Sequence, residues 1–117
     1  MKTSQIKETT DYIETNFPEM AKAFKDVCTE QYELFCRKQV NYGPKNIAVG
    51  TDLSIDEDVK LSLTGLWFRM NDKIERLKQL LIFGKKDYVN ESIEDSFQDV
   101  SNYGIIAQIV SRGKWGK

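Results

Sequence analysis

Apolar residues recur at helical spacing through almost the whole chain. Over residues 4 to 16, Ile6, Thr10, Ile13 and Phe17 step by three and four with little else apolar, which predicts a short helix. Asn16-Phe-Pro18-Glu19 then reads as a helix start: Asn16 caps, Pro18 tolerates an early position, and Glu19 closes a capping box. The helix that follows, over about 17 to 41, is expected to bury Phe17, Met20, Phe24, Val27, Gln31, Leu34 and Phe35. Lys38 lies one turn further along the same face, where it either snorkels past the core edge or points into a site. Tyr42-Gly43-Pro44-Lys45-Asn46 ends the helix, since Gly43 can take a left-handed conformation and Pro44 cannot continue it. The loop running on through Leu53 has the composition of a binding loop, and equally of an ordinary turn.

Ser54-Ile-Asp-Glu57 forms a second capping-box pattern. It opens a long helix over about 55 to 83 whose core face is Val59, Leu63, Leu66, Met70, Ile74, Leu77 and Leu81. Gly65 sits mid-helix, where it costs roughly 1 kcal/mol against Ala and suggests the close approach of a neighbouring helix or a ligand. Gly84-Lys-Lys-Asp87 is a turn, and a last helix runs from about 88 to 112 with Ile93, Phe97, Val100, Gly104 and Ala107 on one face. Its C-terminal half, with Ile105, Ile106, Ile109 and Val110, is apolar nearly all round, so a homo-oligomer, most simply a dimer, is expected to cover it. There is no strand pattern and no internal repeat. The fold class is therefore all-α, a bundle of three to four helices, in a single domain over residues 1–117.

Composition narrows the chemistry. With 117 residues the chain can bury a modest core. No apolar run spans a bilayer, and Met1-Lys-Thr-Ser-Gln-Ile lacks the apolar stretch of a signal peptide, so a cytoplasmic location is expected. Cys28 and Cys36, eight residues apart on one helix, lie roughly 12 Å apart along it, beyond disulfide reach. The absence of histidine removes Ser-His-Asp and Cys-His centres and ordinary zinc sites. A net charge of −1 and short basic runs do not suit duplex nucleic acid. What remains is carboxylate, Lys, Arg, Tyr, Ser and Asn chemistry, which favours hard ions such as Mg²⁺ or Mn²⁺.

Two charged stripes carry that chemistry. Glu91, Asp95 and Asp99 step by fours along the last helix, and Asn102 continues the line. Like charges at that spacing repel, so something should compensate them. Arg69, Lys73 and Arg76 form a basic stripe on the flank of the preceding helix, with Asp72 beside them. The acidic stripe admits three explanations: a solvated face matched to the helix dipole, a structural ion-pair network with the basic stripe, or a divalent-metal site beside phosphate-gripping cations.

Three blocks arranged in order resemble a known family. They are Lys38-x-x-x-Tyr42-Gly43-Pro44-x-Asn46, then Gly65-Leu66-x-x-Arg69-Met70-x-Asp72-Lys73-x-x-Arg76-Leu77, then Glu91-Ser92-x-x-Asp95-x-Phe97-x-Asp99-x-x-Asn102-Tyr103. Together they look like the nucleotide modification associated domain 1 family, small α-helical proteins common in phage genomes. That family in turn resembles the MazG-like, all-α nucleoside triphosphate pyrophosphohydrolases. The resemblance implies an oligomeric MazG-like bundle that binds a nucleotide. It implies Mg²⁺ (or Mn²⁺) held by Glu91 and Asp95, with Asp99 and Glu94 nearby, and a catalytic role for Glu91, Asp95 and Asp99. Arg69, Lys73, Arg76 and Lys38 would grip phosphates, Asp72 would lie beside them, Asn102 would orient water or sugar, and Tyr42, Asn46 and Tyr103 would line the base pocket. The earlier helix departs from the pyrophosphohydrolase pattern, offering Arg69-x-x-Asp72 where that group has Glu-x-x-Glu. Two function classes stay open: a Mg²⁺-dependent pyrophosphohydrolase acting on a canonical or modified nucleotide, and a binding or accessory protein that holds a nucleotide without turnover.

Overall fold

A computed structural model describes residues 2–48 and 51–117. Met1 and the Val49-Gly50 step of the predicted loop lie outside the described residues. The elements are α1 (Thr3–Asn16), α2 (Pro18–Tyr42), α3 (Lys45–Ala48), α4 (Asp56–Leu77), a π-helical turn (Lys78–Ile82) that continues α4, and α5 (Ile93–Ser111). Among the described residues there is no strand. No helix is long and apolar enough to cross a membrane. The chain divides into two compact units, Met1–Arg37 and Lys38–Lys117.

The first unit holds α1 and most of α2. Phe17 joins α1 to α2: its N–H donates to Ile13 O at 2.8 Å and its carbonyl accepts from Ala21 N at 3.0 Å. Asn16 does not cap α2 as the spacing suggests, because its amide turns back to donate to Tyr12 O. Lys25 of α2 reaches Glu14 of α1 at 2.8 Å. The expected burial of α2's apolar stripe fails over its first half: Phe17, Met20 and Val27 are about half exposed and Phe24 is 73% exposed. The periodicity is real, but α1 is too polar to offer a matching face. Cys28 and Cys36 are free thiols, as their spacing requires.

The second unit holds the core. Here α4 packs along α5, and the cross-pairs Lys73–Asp99 and Arg76–Ser96 make the two antiparallel. Leu66, Leu77, Ile106 and Val110 are buried, and Val110 is only 1% exposed. Three sequence expectations are corrected here. First, Ser54 does not cap α4. Its hydroxyl and N–H both donate to Asp52 Oδ1, while Asp58 reaches back to accept from Asp52 N at 2.7 Å, so the helix starts at Asp56. Second, α5 starts at Ile93 rather than 88. Asp87 closes a turn on Val89 N, Asn90 takes a left-handed φ of 55°, and the Ser92 side chain caps by accepting from Asp95 N at 3.0 Å. Glu91 therefore precedes the helix and does not continue its stripe.

Third, the inward face of α5 is rotated from the apolar one read in the sequence. Ser96, Ile106 and Val110 are buried, Asp99 and Tyr103 are partly buried, whereas Phe97 is 53% exposed. Basic residues on α4 draw Ser96 and Asp99 inward at the cost of Phe97. Ile74 and Leu81, expected in the core, are likewise about half exposed.

The C-terminal tail belongs to this unit. Trp115 is 8% exposed, and its indole N–H donates to Pro44 O at 2.7 Å. Buried in this way, the tail ties the end of the chain to the segment that opens α3.

Candidate functional site

Two sites stand along α4, one ionic and one a cleft. The ionic site joins α4 to the loop before α5 and to α5 itself. Lys73 Nζ lies 3.2 Å from Glu91 Oε1 and 3.1 Å from Asp99 Oδ2. Lys38 Nζ lies 3.4 Å from the other oxygen of Asp99. Arg76 is the most connected group. It meets Asp87 at 3.1 Å, the Glu91 carboxylate at 3.9 Å and the Ser96 hydroxyl at 2.7 Å, and it also donates to the Glu91 and Ser92 carbonyls. Burial works against the Lys73 ammonium, yet the hydrogen bonds from Asp99 and Glu91 outweigh it and raise its pKa above the ordinary 10.5. Cations and carboxylates at this end thus satisfy one another, which is the second of the three explanations open from spacing.

The other predicted metal ligands are not gathered there. Asp95 and Glu94 sit exposed in the first turn of α5, and Asp72 is exposed on α4. Among the described residues no three Cys, Asp or Glu side chains come together in a way that would hold a metal ion. The point on which Glu91 and Asp99 converge is taken by the Lys73 ammonium. As arranged, these donors do not fit Mg²⁺ or Mn²⁺, which want several oxygens around one ion.

The cleft lies one turn back along α4, against the α3 segment. It is lined by Asn46, Ile47, Thr51, Leu61, Ser62, Gly65, Leu66 and Arg69, with a volume of about 250 Å³. Arg69 donates to the Asn46 carbonyl at 2.8 Å, and the Thr51 and Ser62 hydroxyls approach to 3.4 Å, so α4 fixes the wall on both sides. Among the described residues a Cβ built on Gly65 would meet nothing within 4 Å, so no neighbouring helix packs on this glycine.

Two groups here lack complements. The Asn46 side-chain oxygen is buried with no hydrogen-bond partner among the described residues, a situation that costs about 1–3 kcal/mol until a donor arrives. Arg69, unlike Lys73 and Arg76, has no carboxylate beside it among the described residues. The Asn46 oxygen is buried behind the cleft wall while the Arg69 guanidinium is exposed, so the cation is the open group here and the acceptor is reached only if the wall yields.

Of the residues named from sequence, the structure brings together Asn46 and Arg69 at the cleft, and Lys38, Lys73, Arg76, Glu91 and Asp99 at the ionic end. Tyr42 is 65% exposed and lines neither site, while Asn102 and Tyr103 are partly buried on α5. Sequence reasoning missed Thr51, Ser62 and Ile47 at the cleft, and Asp87, Ser92 and Ser96 around Arg76. The Asp52-x-Ser54 turn was the available signal for the first group, because it commits Ser54 to the turn and turns the chain back toward α4.

Comparison with known proteins adds one finding. The family model described as nucleotide modification associated domain 1 matches residues 61–110, rather less than half of the chain. The match takes in Arg69, Asp72, Lys73, Arg76, Glu91, Asp95, Asp99, Asn102 and Tyr103 and stops short of the Lys38 to Asn46 block. No curated protein and no solved structure matches the chain.

Proposed function

We propose that this chain belongs to the nucleotide modification associated domain 1 family and binds a nucleotide in the cleft between α4 and the α3 segment. The observation that carries the reading is the pairing of unmet needs there: a buried amide oxygen without a donor and a guanidinium without a carboxylate. A nucleobase offers ring and exocyclic N–H groups to Asn46 where the wall yields. A phosphate offers Arg69 the bidentate acceptor that guanidinium prefers. At about 250 Å³ the cleft has room for the nucleoside end, leaving phosphates at its mouth. The match over 61–110 suggests, by the family's name, an association with nucleotide modification and says nothing of binding or turnover.

Binding without catalysis is the form of the proposal that the donor set favours, because Lys73 already neutralises Glu91 and Asp99. In this reading Mg²⁺ is a companion of the phosphates and not a resident of the protein. Exposed Trp67, Phe68 and Ile105 on α4 and α5 leave apolar surface for a second copy, and a homo-oligomer is part of the proposal.

A thermal-shift screen of nucleoside mono-, di- and triphosphates and cyclic nucleotides, each with Mg²⁺ and with EDTA, tests it. A ligand at 100 times its dissociation constant should add about 2.7 kcal/mol of stability, several degrees for a domain of this size. The expected result is a shift that survives EDTA, with the nucleotide recovered intact and the shift lost in Arg69→Met. A shift that requires Mg²⁺ and is followed by pyrophosphate release would replace this reading with the pyrophosphohydrolase one. No shift from any nucleotide would defeat both.

A further inference from the structure

We infer that Trp115 is a positioning residue of the cleft, so that the C-terminal tail forms part of the ligand-binding apparatus. The inference deepens the nucleotide reading and rests on it for the identity of the ligand, but its structural content stands alone. Asn46 and Ile47 reach the cleft from α3, a helix of only four residues. So short a helix has little cooperativity of its own and takes its position from what holds it. Two carbonyls two residues apart provide the hold. Asn46 O accepts from Arg69 on the α4 side, and Pro44 O accepts from the Trp115 indole on the tail side.

Of the donors to Pro44 O, the indole is the closer. Trp115 Nε1 lies at 2.7 Å, whereas the Ile47 amide that would start the turn lies at 3.4 Å. Without the indole, the carbonyl just before α3 loses the shorter of these two bonds. The tail is shaped for this contact. Gly113 and Gly116 take left-handed φ values of 69° and 73° on either side of Trp115, and a Cβ on Gly116 would touch the Pro44 ring at 3.4 Å. Trp115 also lines a second hollow with Asp52, Ser54, Val110 and Lys117, where the Ser54 hydrogen bonds and the Lys117 charge hold the Asp52 carboxyl below its ordinary range. The tail therefore holds the segment between α2 and α4 at both of its ends.

The test is amide hydrogen exchange on the full chain with Trp115→Phe, which keeps an aromatic ring and removes only the donor. The expected result is exchange about tenfold faster at Ile47, whose N–H donates to Pro44 O, with Leu66 and Ile106 unchanged. Uniform acceleration at all three amides would reduce Trp115 to a core side chain and overturn the inference. Unchanged exchange at all three would overturn it too. Gly116→Ala is measured beside it and read by the same rule. It strains the tail turn and touches Pro44 while keeping the indole, so a Trp115→Phe protein that fails to fold still leaves a decision. Both readings use ligand-free protein. The ligand arm uses dATP, for which Trp115→Phe should weaken binding about tenfold, a difference of about 1.4 kcal/mol. If the unaltered chain binds no nucleotide, the nucleotide reading falls while the exchange pattern still decides the role of Trp115.

Discussion

The two ends of the α4–α5 seam are built from the same kind of helix and behave in opposite ways. At one end Lys73 and Arg76 face Glu91, Asp99, Asp87 and Ser96, and every charge there has a neighbour of opposite sign or a hydrogen-bond acceptor. At the other end Leu66, Ile106 and Val110 close an apolar core, and beside it Arg69 and Asn46 are left with unmet capacity. A satisfied network specifies how two helices meet, and an unsatisfied pair of groups in a hollow invites a third molecule. A stripe of three basic residues thus divides between two surroundings, although its residues are indistinguishable by spacing.

The largest effect that tests this division is on stability at Arg76. Arg76→Ala should cost about 2 kcal/mol, because it leaves the fully buried Ser96 hydroxyl without its donor and takes the cation from Asp87, while Glu91 keeps Lys73. Chemical denaturation reads it directly. A cost below about 1 kcal/mol would show the ionic end to be ornamental, like exposed surface pairs.

At the cleft end the effects should fall on binding. Arg69→Met should leave the denaturation midpoint nearly unchanged and weaken nucleotide binding at least about tenfold, since its guanidinium is exposed and balances no carboxylate. Gly65→Ala should go further and separate the two properties in sign. A methyl there meets nothing among the described residues and removes the helix-interior glycine, so stability should rise by about 0.5–1 kcal/mol. The same methyl narrows the cleft, so nucleotide affinity should fall. A stabilised variant with unaltered affinity would place the nucleotide elsewhere.

How much of this was legible follows from where the information lies. The α4–α5 pair and the attraction of Lys73 and Arg76 for the acidic residues are written in spacing, and the structure holds both, whereas Gly65 meets no neighbouring helix among the described residues. What spacing could not reveal was decided by single residues at element ends. Asn90 and Ser92 start α5 late and move Glu91 off the helix, and Asp52 captures Ser54 and displaces the expected cap. The inward turn of Ser96 and Asp99 in place of Phe97 is a tertiary choice, made because Arg76 and Lys73 wait opposite. Trp115 stands in a Gly- and Lys-rich tail whose composition resembles a disordered end, and only the distant Pro44 carbonyl explains its burial. On α2, periodicity was read correctly and burial was not, because a helical face becomes a core only when another face is there to meet it.

Alkaline pH should distinguish the two ends more gently. Lys73 has a raised pKa in the folded state, so the stabilisation it brings is fully present below the unfolded value of 10.5 and is lost as pH rises through its higher folded value. The stability gap between the unaltered chain and Lys73→Met should therefore be constant from pH 7 to 10 and narrow only above about 10.5. A gap that closes near neutrality would mean that another group titrates in the network.

The smallest expected effect is at Asp95, and it bears on the metal question. Asp95 lies exposed in the first turn of α5, its backbone N–H already capped by Ser92. Its carboxylate contributes only through the helix dipole, so Asp95→Asn should shift stability by no more than about 0.5 kcal/mol. It should also leave nucleotide binding in EDTA unchanged, because it lines neither the cleft nor the ionic network. The informative comparison is the same titration with Mg²⁺. If Asp95→Asn abolishes a Mg²⁺-dependent gain in affinity that the unaltered chain shows, then this carboxylate takes part in holding a cation that arrives on the phosphates. The first turn of α5 would then be a third place of contact with the nucleotide, outside both the cleft and the ionic network. If the two proteins titrate alike with and without Mg²⁺, the division along α4 stands as drawn, with binding at Arg69 and Asn46 and structure at Lys73 and Arg76.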